Sequence, residues 1–187
     1  MTEETLSTYI ESAINNIQHN TSESGNNLQE VMTNIRHRPY EVGAMFDCCG
    51  QKICEKTNHS YEAVVVAMPD EWRDLANLMV HNHVIDRTFS TGDLIASKNF
   101  DLGISIVVTP SYNFYLFRPT KGWPEGNEWI EEYSILIKKI QQSRRHNCNW
   151  ATASHLALDE LANHYGIIYR VTDLHGNSIP KEELKVS

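Results

Sequence analysis

His81-Asn82-His83-Val84-Ile85-Asp86-Arg87-Thr88-Phe89-Ser90-Thr91-Gly92-Asp93 places two imidazoles, a hydroxyl and a carboxylate within thirteen positions. Residues two apart on a strand face the same way, so a strand ending at this point turns both histidine rings to one side. Ser90 reads as a helix N-cap with Asp93 at the third helical position, which predicts a helix over 90–98. A strand end running into a capped helix brings His81, His83 and Asp93 within reach of one metal ion. Zinc takes nitrogen and carboxylate ligands at roughly 2.0–2.2 Å, and three protein ligands leave a fourth tetrahedral position for solvent. That open position separates a catalytic ion from a structural one.

Working outward, Glu41 opens the run Glu41-Val42-Gly43-Ala44-Met45-Phe46-Asp47, which reads as a strand. The turn Asp47-Cys48-Cys49-Gly50 and a return segment over 51–55 complete a hairpin. A carboxylate at the start of that strand can lie beside a metal without binding it, accept a proton from attacking water and return it to a leaving amine. An apolar strand follows over 61–67, then a helix over 70–78, the His-x-His strand end, the Ser-led helix and a strand pair over 104–109 and 112–117.

Glu41 with His81-x-His83, six residues, and Ser90-x-x-Asp93 resembles the JAMM motif of the JAB/MPN metalloprotease family, most closely its compact bacterial branch. The order of elements over 38–120 agrees with it. Val84 stands where many relatives carry a loop-stiffening proline. The resemblance implies an α+β domain with a curved mixed sheet flanked by helices, one Zn2+ ion on His81, His83 and Asp93, Glu41 as the base and Ser90 as the oxyanion donor. It implies hydrolysis of a peptide or isopeptide bond by a deubiquitinase-like enzyme, often at the C-terminal tail of a ubiquitin-like protein; a cytoplasmic location is expected separately, from the lack of a membrane span and of a basic leader.

Other readings remain open on the residues alone. Ser90 and Asp93 form a capping pair in any case, and His81 and His83 could then be solvated in a loop. A zinc-bearing protein-binding module that does not cut, or a zinc hydrolase of small amides or cell-wall peptides, would use the same ligands. A zinc deaminase is disfavoured because its H-x-E and P-C-x-x-C segments are missing.

The net charge of −8 over 187 residues argues against a nucleic-acid partner. The short runs Arg36-His37-Arg38 and Arg144-Arg145-His146 read as solvated helix ends, where cations suit the dipole. No stretch approaches the roughly eighteen apolar residues of a membrane helix, and Glu3 and Glu4 stand where a signal peptide would be basic. Cys48, Cys49, Cys54 and Cys148 do not form a CxxC zinc pattern and read as reduced, partly buried thiols. A cysteine nucleophile paired with His59 lacks an orienting third group.

Residues 1–37 read as an N-terminal helical extension and 38–187 as the metalloprotease domain. Within the extension, residues 4–18 carry an apolar stripe at helical spacing, and Leu28, Val31, Met32 and Ile35 mark a second helix ending before Pro39. Such stripes either cover the core or dock a protein partner. After the strand pair, a loop dense in breakers holds Trp123, either an interface contact or a core residue. Helices are expected over 128–145 and 150–165, the latter stopped by Gly166, then a short strand over 167–171. His155 and His164 have no partner at metal spacing and read as structural.

Overall fold

A computed structural model describes residues 27–57, 59–60, 76–143, 148–180 and 184. The expected helix over 4–18 and strand over 61–67 lie outside them. The chain is a mixed α+β protein with, among the described residues, one six-stranded sheet and four helices. In chain order these are α1 (Leu28–Arg36), β1 (Val42–Asp47), β2 (Lys52–Thr57), β3 (Ala76–Asn82), α2 (Thr91–Asn99), β4 (Ile104–Val108), β5 (Asn113–Phe117), α3 (Glu128–Ser143), α4 (Trp150–Tyr165) and β6 (Ile168–Thr172). The spatial order is β2-β1-β3-β4-β5-β6. Among the described residues only β3 and β4 pair in parallel, because α2 returns the chain across the sheet between them.

The two faces of the sheet follow strand parity. Val42, Ala44 and Phe46 of β1, Leu78 and Val80 of β3, and Ile104, Ile106 and Val108 of β4 pack against Leu28, Val31, Met32 and Ile35 of α1. Each of these α1 side chains is buried, and full burial of such a residue contributes about 1.5–3 kcal/mol. The stripe therefore serves the core. On the other face, Val107, Phe114, Leu116, Tyr169 and Val171 pack with Phe89 and Leu94 against α3 and α4. Among the described residues, no helix is long and apolar enough to cross a membrane.

Three local expectations are corrected. The helix expected over 70–78 does not reach its end, since Ala76, Asn77 and Leu78 open β3, with Ala76 and Leu78 paired to β1 and Leu78 also to β4. The good helix formers Ala and Leu are overruled there by two neighbouring strands. Arg36 is not a solvated helix end. Its guanidinium is buried and donates to the Thr109 and Tyr112 carbonyls and to Asn113 Oδ1, tying α1 to the turn between β4 and β5. Cys48 and Cys49 are exposed at the tip of the first hairpin, whereas Cys54 and Cys148 are half-buried.

Other elements fall where the sequence places them. Gly166 caps α4 with a left-handed φ of 67°, a conformation that glycine adopts without strain. Trp123, left open by the sequence between an interface contact and a core residue, lies in the core, with its indole N–H donating to the Leu102 carbonyl at 3.0 Å and its ring stacked on Trp129. His155 is buried against the Tyr169 hydroxyl, 2.8 Å from its Nδ1, and His164 is exposed.

Candidate metal centre

His81 lies one residue from the end of β3, and His83 follows just beyond it. In the β1–β3 ladder Gly43 sits opposite His81, so continuing the antiparallel register sets Glu41 across from His83. Glycine at 43 adds no side chain beside the His81 ring on that face. The intervening Asn82 points to the opposite face and is fully buried. Its Oδ1 accepts from Val42 N–H at 2.7 Å and its Nδ2 donates to the Tyr40 carbonyl at 3.1 Å, clamping the main chain on both sides of Glu41. The Glu41 N–H donates to the Ser60 carbonyl at 2.9 Å, and its carbonyl accepts from the Thr57 hydroxyl at 2.9 Å.

The segment 83–90 has no proline after His83, yet it is fastened along its length. Asp86 accepts from the Thr109 hydroxyl at 2.6 Å and from Ser111 N–H and Oγ at 2.9 and 2.7 Å. The Thr88 hydroxyl meets Tyr169 Oη at 2.9 Å, and the Phe89 carbonyl accepts from Tyr133 Oη at 2.7 Å. Ser90 then caps α2 in a full capping box. Its Oγ accepts from Asp93 N–H and donates to Asp93 Oδ2 at 2.8 Å, while its N–H reaches the same carboxylate oxygen at 2.6 Å. Ser90 thus fixes the rotamer of Asp93 and keeps its hydroxyl at the centre.

These elements gather His81, His83 and Asp93 into one group whose ligand atoms lie within 4.8 Å of one another. His81 Nε2 and His83 Nε2 are 3.1 Å apart, Asp93 Oδ1 is 3.1 Å from His81 Nε2, and Asp93 Oδ2 is 3.6 Å from His83 Nε2. A tetrahedral ion with bonds near 2.0 Å sets its ligand atoms roughly 3.3 Å apart. Both histidines are buried, so the alternative in which they are solvated in a loop is excluded.

The donor chemistry also fits a cation. His83 Nδ1 lies 3.1 Å from the Arg87 carbonyl, which can only accept, so the proton sits on Nδ1 and the Nε2 lone pair faces His81 and Asp93. His81 Nδ1 is buried without a hydrogen-bond partner among the described residues, and Nε2 is the atom that meets the carboxylate. One proton on His81 Nε2 cannot satisfy both the His83 lone pair and Asp93 Oδ1, whereas a divalent ion can. Without an ion, burial disfavours charge on His81, but the neighbouring Asp93 carboxylate outweighs it and raises the imidazole above its usual value. Burial likewise opposes ionisation of Asp93, and is overcome by His81 and then His83, which hold the carboxyl well below the usual range.

Glu41 stands beside this group and outside it. Its carboxyl is buried, and Oε1 is 3.9 Å from His83 Nε2. Oε1 also accepts from Arg87 Nη2 at 2.9 Å. Sequence reasoning missed Arg87, because an arginine in a loop spacer carries no periodic or spacing signal. The roles of Asn82 and Asp86 were equally unseen, although a short polar residue fixed between two ligands is a hint that the strand needs its amide.

The fold and the site define a mixed α+β protein with a buried His-His-Asp group able to hold a metal ion. No protein-family model, no curated protein and no solved structure matches the chain.

Proposed function

We propose that the chain is a zinc-dependent hydrolase of peptide or isopeptide bonds, as its resemblance to the JAMM-type metalloproteases implies. The observation that carries this reading is the buried Glu41 carboxylate set 3.9 Å from His83 yet outside the three-residue group. A structural site requires no additional acid beside its ligands.

His81, His83 and Asp93 would hold the ion. When bound, zinc supplies Lewis-acid polarisation of the amide carbonyl and makes water more acidic. Glu41 removes the proton from the attacking water and delivers it to the departing amine. Ser90 turns its hydroxyl from Asp93 toward the carbonyl oxygen as negative charge develops there. His83 is kept in the tautomer that presents its Nε2 lone pair by the Arg87 carbonyl. A ubiquitin-like C-terminal tail is the substrate class the resemblance favours.

The test is metal content together with cleavage of a panel of tailed ubiquitin-like fusions by the parent and by Glu41→Ala. The expected result is that the variant retains zinc and loses roughly a hundredfold to ten-thousandfold in turnover. Equal cutting by both would remove Glu41 from the reaction. A parent that binds zinc but cuts no tail, small amide or cell-wall peptide would leave a binding module as the reading.

A further inference from the structure

We infer that Arg87 is the positioning residue that keeps Glu41 a base and prevents it from becoming a fourth metal ligand; this rests on the hydrolase reading above. Arg87 touches both halves of the centre. Its carbonyl accepts from His83 Nδ1, and its guanidinium donates to Glu41 Oε1 at 2.9 Å. One residue therefore fixes the orientation of a ligand and the direction of the acid beside it.

The physical need follows from the burial of Glu41. A carboxylate shut away from water beside a divalent cation binds that cation unless another positive charge holds it, since carboxylate oxygens are ordinary zinc ligands. Glu41 lies near enough for this, with Oε1 3.9 Å from His83 Nε2. Were it to join His81, His83 and Asp93, four protein ligands would close the shell and give a structural site with no position for solvent. The main-chain bonds of Glu41 to Ser60 and Thr57 fix its backbone and not the direction of its carboxylate. Arg87 fixes that direction. Its guanidinium donates in a rigid plane, which a lysine point charge does not reproduce.

Zn2+ affinity, measured by competition with a chromogenic chelator, tests this without reference to turnover. Arg87→Met is expected to bind zinc at least about tenfold more tightly than the parent, a gain of about 1.4 kcal/mol, because Glu41 joins the ion. Adding Glu41→Gln to that variant is expected to return affinity to the parental value. A merely structural role for Arg87 predicts weaker binding. Unchanged or weaker binding in folded Arg87→Met overturns the inference, and Arg87→Gln is judged by the same criterion if the methionine variant does not fold. Glu41→Gln alone is expected to leave affinity unaltered; a tenfold loss would make Glu41 a ligand in the parent and also overturns it. A parent that takes up no zinc removes the hydrolase reading as well, so the two failures are distinct.

Discussion

Asn82 Oδ1 accepts the Val42 N–H at 2.7 Å, so the residue between the two histidines fastens the strand that Glu41 directly precedes. The ligand strand and the acid are thereby joined through a side chain on the face opposite the metal group. Asn82→Ala leaves the Val42 N–H and the Tyr40 carbonyl without this partner, and a buried polar group so deprived costs about 1–3 kcal/mol. Urea denaturation is expected to show that loss. Zinc stoichiometry should persist in the folded fraction, because His81, His83 and Asp93 do not depend on this clamp, while cleavage should fall with the displacement of Glu41.

Ser90 acts on Asp93 in three ways, through its hydroxyl as donor, its hydroxyl as acceptor and its own N–H. Ser90→Ala removes the two hydroxyl contacts. The lost cap costs about 0.5–2 kcal/mol of stability, and loss of a group that orients a ligand lowers metal affinity by roughly tenfold to a hundredfold. Ser90→Thr is expected to restore most of both, because the hydroxyl and the cap return. A chelator competition assay across the three proteins checks the order parent, Thr, Ala.

Asp86 collects three donors from the β4–β5 turn and so anchors the loop between the histidine strand and α2. This gives a physical account of how the loop is held with Val84 in place of proline. Asp86→Ala is expected to cost about 1.5–3 kcal/mol, the range for a charged hydrogen bond, and to raise hydrogen exchange over 83–90 more than in β3. Equal exchange in the loop of parent and variant would show that Thr88 and Phe89 suffice to hold it.

How the sequence discloses such a structure depends on the kind of signal. His81 and His83 could be assigned to one face because strand parity is local, and Ser90 with Asp93 because a capping box spans only four residues. Gly166 was legible for the same reason, as a backbone requirement met by one residue type. Ala76-Asn77-Leu78 was not, since nothing within those residues announces that strands will lie on both sides. Arg36 misled because a cation at a helix end is commonly solvated, and its acceptors at Thr109, Tyr112 and Asn113 are distant in sequence. Arg87 is the extreme instance: its contact with Glu41 spans 46 positions and exists only once β1 and β3 have paired.

Metal binding at this centre would be coupled to folding. His81, His83 and Asp93 converge only in the native sheet and helix, so an ion that binds them binds the folded chain and not the unfolded one. Free zinc at a hundredfold above its dissociation constant should then stabilise the protein by about 2.7 kcal/mol. Thermal unfolding with added zinc and with chelator is expected to show this shift in the parent. His81→Ala should abolish it. A shift of equal size in the variant would place the ion elsewhere.

Gly166 offers a control remote from that chemistry. Its φ of 67° ends α4, and a Cβ there would meet nothing within 4 Å, so Gly166→Ala introduces conformational strain without a clash. The left-handed conformation costs an ordinary L-residue about 1–2 kcal/mol. The variant should unfold at correspondingly lower urea concentration, with zinc affinity and cleavage unaltered. Because α4 packs on the sheet face that also holds Phe89 and Leu94, a concurrent loss of zinc affinity would mean that the helix end controls the loop and the cap as well as the stability of the core.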